Sequence, residues 1–357
     1  MSGSKRRGLT VLAALGAAGL MVWAAGCAAD DESMMGASSG PKYPEPGNEA
    51  GGGGAAGSTS IDAGSELPPE KEVESAYEFP AATGKYVWVA NPLSGRVAYV
   101  DAATLEVRTT EAGHGPTWLS AVPGAGTDTA IVINVQSSDA TLLRADADGN
   151  IDSLELPVAP GSNAWALEAK GDWAIAWGDY RKGETPPLAM GYQDIAVLRL
   201  TAGQESSTRL SVGYRPVAVS FSADATRAYA VTQDGVSVID LAATGGPIAS
   251  KLVALSDDPL EDPGSRDVSV TPDGKLALVR RDGSSEVTVV DLEADKRSAV
   301  TLSGPVTDLD LSPDGLRAVA VVRDSQEAVI LRLPEVAEDP SALTVVKVDD
   351  AVIGSVA

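Results

Sequence analysis

Three aspartates carry the most legible chemistry in this chain. Asp267, Asp308 and Asp310 stand in two near-identical stretches: Ser265-Arg266-Asp267-Val268-Ser269-Val270-Thr271-Pro272-Asp273-Gly274 and Val306-Thr307-Asp308-Leu309-Asp310-Leu311-Ser312-Pro313-Asp314-Gly315. Asp267 and Asp308 hold the same place in the two stretches, and Asp310 lies on the same face of an extended strand as Asp308. Repeated carboxylates of this kind suit an acidic lip that binds a cation or a basic group. The same spacing also suits carboxylates that cap backbone amides or face water. A second candidate is the excursion from Gly178 to Gln193, which carries Tyr180, Arg181, Lys182 and Tyr192. Long loops on rigid scaffolds concentrate binding residues, although a tolerated surface insertion would have a similar composition.

Reaction chemistry is harder to assemble. His114 is the single histidine, which excludes multi-histidine copper, haem or zinc centres, and Gly113-His114-Gly115-Pro116 reads as a loop. Asp146-Ala147-Asp148-Gly149-Asn150-Ile151-Asp152 alternates carboxylates as a calcium loop does, yet Ile151 and Pro157 stand where that loop requires glycine and glutamate. A hairpin turn accounts for it. The expectation is therefore no catalytic residue, no metal and no cofactor. Trp118 and Trp165 fall in first-strand contexts, and Trp88, Trp173 and Trp177 in second strands, where packing between sheets explains them.

The elements that position these residues repeat. The tetrads Thr271-Pro272-Asp273-Gly274 and Ser312-Pro313-Asp314-Gly315 recur after about 40 residues, each followed by an apolar run, a polar break and a second apolar run. Proline presets φ for the turn, aspartate follows, and glycine takes the left-handed conformation that opens the next strand. Short strands on such a period, with no helical pattern, give an all-β fold, a β-propeller of about six four-stranded blades over residues 76–357. The first blade reads as lacking its innermost strand, while Ala351-Val352-Ile353-Gly354-Ser355-Val356-Ala357 reads as an innermost strand with no blade behind it. Closure by pairing the C-terminal run with the first blade satisfies both. The alternative is a truncated propeller of seven or more blades.

Upstream of the repeats the character changes. Lys5-Arg6-Arg7 and the apolar run from Leu9 to Ala25 form an export signal over residues 1–26, closing on Ala24-Ala25-Gly26-Cys27. Cys27 is the only cysteine. The pattern resembles the lipobox of bacterial lipoproteins, which implies diacylglycerol on the Cys27 thiol and, with Ala28 following, sorting to the outer membrane. Residues 27–75, with Gly51-Gly52-Gly53-Gly54 among Ala, Ser, Pro and acids, read as a tether spanning roughly 40 Å r.m.s.. A formal charge of −23 argues against nucleic acid, whose phosphates demand cations.

Tyr86-Val87-Trp88-Val89-Ala90-Asn91, Val97-Ala98-Tyr99-Val100-Asp101 and Val236-Ser237-Val238-Ile239-Asp240 resemble the YVTN-type repeats of bacterial surface and periplasmic propellers. The Ser/Thr-Pro-Asp-Gly turns are similar to those of TolB-like and WD40-like propellers. The resemblance implies fold far more than function. Two functions are compatible with it: a lipid-anchored, non-catalytic module of the cell envelope, facing the periplasm or the cell surface, that binds an envelope protein or a small ligand; and a lactonase-like or quinone-dependent enzyme with an axial carboxylate or metal site. The anchor is directly testable. Cys27→Ser should move the protein from the detergent-extracted membrane fraction to the soluble envelope fraction, and an unchanged distribution would remove the lipid from the account.

Overall fold

The computed structural model describes residues 80–125, 128–182 and 193–348. Contacts divide the chain between Lys71 and Glu72, and every described residue lies in the second unit. The export signal, Cys27, the tether, Tyr192 and the run from Ala351 to Ala357 lie outside the described residues.

Among the described residues six four-stranded antiparallel sheets follow one another along the chain, and within each the strand order is the chain order. Sheet 1 comprises β1 (Ala81–Ala82), β2 (Tyr86–Asn91), β3 (Arg96–Asp101) and β4 (Val107–Glu111). Sheet 2 comprises β5 (Pro116–Ala121), β6 (Thr129–Asn134), β7 (Asp139–Ala145) and β8 (Ile151–Pro157). Sheet 3 comprises β9 (Ala164–Leu167), β10 (Trp173–Trp177), β11 (Asp194–Arg199) and β12 (Ser206–Ser211). Sheet 4 comprises β13 (Ala218–Phe221), β14 (Arg227–Thr232), β15 (Gly235–Asp240) and β16 (Ile248–Val253). Sheet 5 comprises β17 (Arg266–Val270), β18 (Leu276–Arg281), β19 (Glu286–Asp291) and β20 (Lys296–Thr301). Sheet 6 comprises β21 (Asp308–Leu311), β22 (Arg317–Val322), β23 (Glu327–Arg332) and β24 (Leu343–Lys347). These are the blades of a β-propeller.

The turn between the first and second strands works as its residues suggest. In sheet 5 the Thr271 hydroxyl donates to Asp273 Oδ1 at 2.7 Å and accepts from the Leu276 amide at 3.1 Å, while Gly274 has φ +69°. In sheet 6 the Ser312 hydroxyl donates to Asp314 Oδ1 at 2.6 Å, and Gly315 again has φ +69°. Sheet 4 keeps the hydrogen bonds with a poorer residue: Ser222 donates to Asp224 at 2.7 Å, but Ala225 takes φ +57°, where a Cβ is unwelcome. The hydrogen bond from Ser222, with the amide and hydroxyl of Thr226, holds the Asp224 carboxyl down at about 2.

Sheet 1 departs from expectation. Its first strand is present in its own sequence, as Ala81 and Ala82 paired with Trp88 and Val87. Two alanines carry no period to read, and what holds them is polar. Asp128, just before β6, accepts from the Thr83 hydroxyl and the Lys85 amide at 2.6 Å each, and Thr83 Oγ1 accepts from Trp88 Nε1 at 3.0 Å.

The core is layered between sheets. Trp88 and Tyr99 of sheet 1 pack on Ala130 and Val132 of sheet 2. Ile131 and Ile133 pack on Ala174 and Ala176 of sheet 3. Ile175 and Trp177 meet Ala228 and Ala230 of sheet 4, Tyr229 meets Ala277 of sheet 5, and Leu278 meets Ala318 and Ala320 of sheet 6. The two faces of each of sheets 2 to 5 therefore belong to different layers, as the period-two alternation of a strand dictates.

One turn glycine tests the packing directly. A Cβ on Gly274 would run into the ring and hydroxyl of the buried Tyr229, whereas Gly283 has the same φ of +69° and open space around it. Gly274→Ala should cost about 3 kcal/mol or more and Gly283→Ala only about 1 kcal/mol. Urea midpoints measure the difference, and equal losses would contradict the packing described.

Candidate functional site

The described part of the excursion leaves β10 and is caught at once. Asn163, which precedes β9, accepts from the Asp179 amide at 2.7 Å and donates to the Asp179 carbonyl at 3.0 Å. Three successive side chains then reach three different blades. The Tyr180 hydroxyl donates to Asp262 Oδ1 at 2.6 Å, in the connection that leads into β17. The Arg181 guanidinium forks onto Asp179 at 3.0 and 2.8 Å and donates to the Val217 carbonyl, ahead of β13, at 2.6 Å. Lys182 Nζ lies 5.0 Å from the centroid of the Trp118 ring in β5. A loop from sheet 3 thus touches sheets 2 and 4 and the approach to sheet 5.

Electrostatics fixes this arrangement. The Asp179 side chain is only 2 % exposed, a position tolerable for a carboxylate because the Arg181 fork answers both oxygens. Arg215 stacks on the Tyr180 ring with its guanidinium carbon 3.6 Å from the centroid, and its Nη2 lies 3.6 Å from Asp262. The hydrogen bond from Tyr180, then that from the Gly264 amide, holds the Asp262 carboxyl below its ordinary range. Burial, and then the bond to Asp262, pushes the Tyr180 phenol up.

Behind Asp262 stands a second polar lock. The Arg266 side chain is fully buried, bonded to Glu261 and to the carbonyls of Thr232 at 2.8 Å and Gln233 at 3.0 Å. Arg281 binds the other oxygen of Glu261 and reaches Thr288 Oγ1 at 2.8 Å and the Leu255 carbonyl at 2.9 Å. Burial acts against ionised Glu261, but the Arg281 hydrogen bond and the charges of both arginines outweigh it and keep the carboxyl low. The lock pins the connection carrying Asp262 between sheets 4 and 5.

The three aspartates are placed as follows. Asp267 and Asp308 are opposite Arg280 and Val321, equivalent rungs of sheets 5 and 6, and Asp310 is two residues along. Asp267 is ion-paired with Arg280, so it is no free lip carboxylate. Asp308 Oδ1 accepts from the Leu309 amide at 3.0 Å. The Asp310 side chain makes no hydrogen bond to a described residue; burial, then the charges of Asp308 and Asp267, pushes its carboxyl up. Asp267 also bears on Arg181, which places the aspartates and the loop in one electrostatic neighbourhood. Among the described residues no group of three His, Cys, Asp or Glu side chains is disposed to hold a metal ion.

The remaining motifs resolve locally. Asp146 spends both oxygens on its own turn, accepting from the amides of Asp148 and Asn150 and from Asn150 Nδ2, each at 2.9 Å. His114 lines a surface hollow of about 400 Å³ beside Arg96 and Glu111. Its backbone, rather than its imidazole, is what binds Ser137. Asp262, Arg215, Arg280 and the Glu261 lock escaped the sequence reading. The long connection between β16 and β17, rich in acids and opening no repeat, was the available signal.

No protein-family model and no curated protein matches the chain. Solved structures are similar at the level of fold. The hydrazine synthase of Kuenenia stuttgartiensis aligns over 78% of this chain and 84% of its own, at 18% identity and a TM-score of 0.44. AztD of Citrobacter koseri aligns over 76% and 73%, at 12% identity and a TM-score of 0.44. A protein from Lactobacillus plantarum aligns over 75% and 83%, at 14% identity and a TM-score of 0.41. These likenesses transfer no activity to this chain.

Glu261→Gln leaves Arg266 buried without its countercharge, and should cost about 3–5 kcal/mol. Because the folded carboxyl sits below its ordinary value of 4.5, its contribution is complete above that value and is lost as pH falls through the folded pKa. Thermal midpoints of wild type and variant should therefore converge on acidification below about 4.5. A gap that stays constant down to pH 3 would assign the loss to something other than this charge.

Proposed function

We propose that this chain is a lipid-anchored propeller of the cell envelope that binds a protein or small ligand, without catalysis, through the surface built by Tyr180, Arg181 and Lys182. One observation carries the reading: three consecutive residues from one loop are held against sheet 2, the start of sheet 4 and the approach to sheet 5, which makes a rigid, mixed-charge and aromatic surface out of an insertion. Pre-organisation of this kind lowers the entropic cost of binding. Lys182 is exposed, held by an aromatic face rather than a carboxylate, and Trp118 beneath it is half-buried. A partner presenting a carboxylate beside an apolar edge would complete both. Cys27 and the tether would supply attachment to the outer membrane and clearance from it.

The test uses the anchored protein in intact cells. Cross-linking should capture a partner with wild type and with Lys275→Glu, an exposed lysine in the turn between β17 and β18, away from this loop. Lys182→Glu should reduce capture about tenfold, since reversing one interfacial charge typically costs an order of magnitude or more. Equal capture by Lys182→Glu and wild type would rule the surface out.

A further inference from the structure

Among the described residues, Leu105, Ser138, Ala225, Asp295 and Gln326 take positive φ within hairpins of a single sheet. Arg215 does so in a connection between sheets, after β12 and before β13, with φ +53°. Its counterpart in the connection from sheet 1 to sheet 2 is a glycine. Gly113-His114-Gly115-Pro116 and Gly213-Tyr214-Arg215-Pro216 make the same turn. In each the first amide donates to a third-strand hydroxyl, Thr141 at 3.3 Å and Ser237 at 3.1 Å, and Gly115 has φ +69°. An arginine at such a backbone position is strained, and strain of this kind persists where the side chain gains from the position.

The gain is a fixed place with hydrogen bonds still to make. The Arg215 guanidinium lies over the Tyr180 ring, Cζ 3.6 Å from its centroid, and the Tyr180 hydroxyl is itself fixed to Asp262 at 2.6 Å. A guanidinium carries five N–H groups. Among the described residues, the acceptor that Arg215 finds is Gln233 Oε1, reached by Nη1 across 3.4 Å, the outer limit of a hydrogen bond. Asp262 Oδ1 stands 3.6 Å from Nη2, near enough for charge and too far for a hydrogen bond. The neighbouring arginines are spent. Arg181 bonds to both Asp179 oxygens and the Val217 carbonyl. Arg266, Arg280 and Arg281 each bind a carboxylate and a backbone carbonyl. The Arg215 side chain keeps 24% of its surface exposed, whereas that of Arg266 keeps none.

We propose that Arg215 is a carboxylate-binding subsite: its unspent N–H groups take both oxygens of a monocarboxylate, with the Tyr180 ring as the stacking floor. The inference rests on reading the Tyr180–Lys182 surface as a binding surface, and adds which group beside it takes the ligand's charge. Two parallel N–H bonds match two coplanar oxygens, which a carboxylate has. Stacking holds the guanidinium in place beforehand, so little freedom is lost when the ligand arrives. Charge selects against phosphate and sulfate. Asp262 stands beside the guanidinium and the chain carries a formal charge of −23, so a dianion meets more repulsion here than a single carboxylate does.

The probe is sodium acetate, titrated into the full chain at an ionic strength held constant with sodium chloride. In protein carrying isotope-labelled arginine, the Arg215 Nε–Hε resonance should shift and saturate, while those of Arg266 and Arg281 stay in place. The thermal midpoint should rise by about 2–4 °C at an acetate concentration about tenfold above the dissociation constant. Arg215→Gly carries the residue that the matching turn of sheet 2 uses, so it should fold and lose the acetate response entirely. Arg215→Lys keeps the charge without the paired N–H groups, and should bind acetate about tenfold more weakly. Lys275→Glu should respond as wild type does. No shift beyond that of chloride, or an undiminished response in Arg215→Gly, overturns the subsite. Equal affinity in Arg215→Lys overturns the bidentate contact. Phosphate or sulfate saturating at the same or a lower concentration than acetate overturns the ligand class. Acetate is titrated with no partner present, so a missing shift would leave capture through Lys182 standing, and failed capture would leave the acetate result untouched.

Discussion

Everything in this fold depends on how closely one twisted sheet can approach the next. The second strand of each of sheets 2 to 6 presents alanine to the preceding blade: Ala130, Ala174, Ala176, Ala228, Ala230, Ala277, Ala318 and Ala320 are all 0% exposed. The opposite face presents a large side chain, Trp88, Ile131, Ile175, Tyr229 or Leu278 in turn, each below 2% exposed. Large set into small at every layer gives a close-packed interior from a chain with few aromatics. It also gives each sheet a direction, since its two faces are not interchangeable. A one-residue slip in any strand would exchange them and cost the whole layer.

The polar locks complement this packing. An interior of alanine and branched residues is uniform enough to leave the long connection between β16 and β17 undefined. Fully buried Arg266, held by Glu261 and two backbone carbonyls, defines it. Such a cluster adds little net stability against an apolar alternative, but it permits one geometry only. Asp179 with Arg181 performs the same service for the excursion from sheet 3. Both candidate loops are therefore positioned by buried charge, and the strands supply the frame.

Much of the frame was legible in the sequence. The Pro-Asp-Gly turns announce the repeat because their backbone requirements are local, and even Ser222-Ala223-Asp224-Ala225 is recognisable through its serine–aspartate hydrogen bond. What stayed hidden was non-local. Ala81–Ala82 is a strand only because Asp128, far along the chain, holds Thr83 and Lys85. The sequence placed Asp267 and Asp308 at matching rungs, yet Arg280 opposite Asp267 became visible only when β17 and β18 were paired. Tyr180 was readable as a loop aromatic, while its partners Asp262 and Arg215 come from other connections, between β16 and β17 and between β12 and β13.

The aspartates show how position in a repeat changes the meaning of a residue. The Asp267 side chain is 63% exposed, and Arg280 directly opposite on the neighbouring strand answers its charge. Asp310 belongs to the face of sheet 6 that no described sheet covers, so it is answered by nothing described, and its carboxyl rises. A charge on such a face is unfavourable in a finished apolar layer and unremarkable in a wet one. Half-buried Val319 and Ile330 beside it are unfavourable in water and at home in a layer. The face thus carries residues suited to both environments.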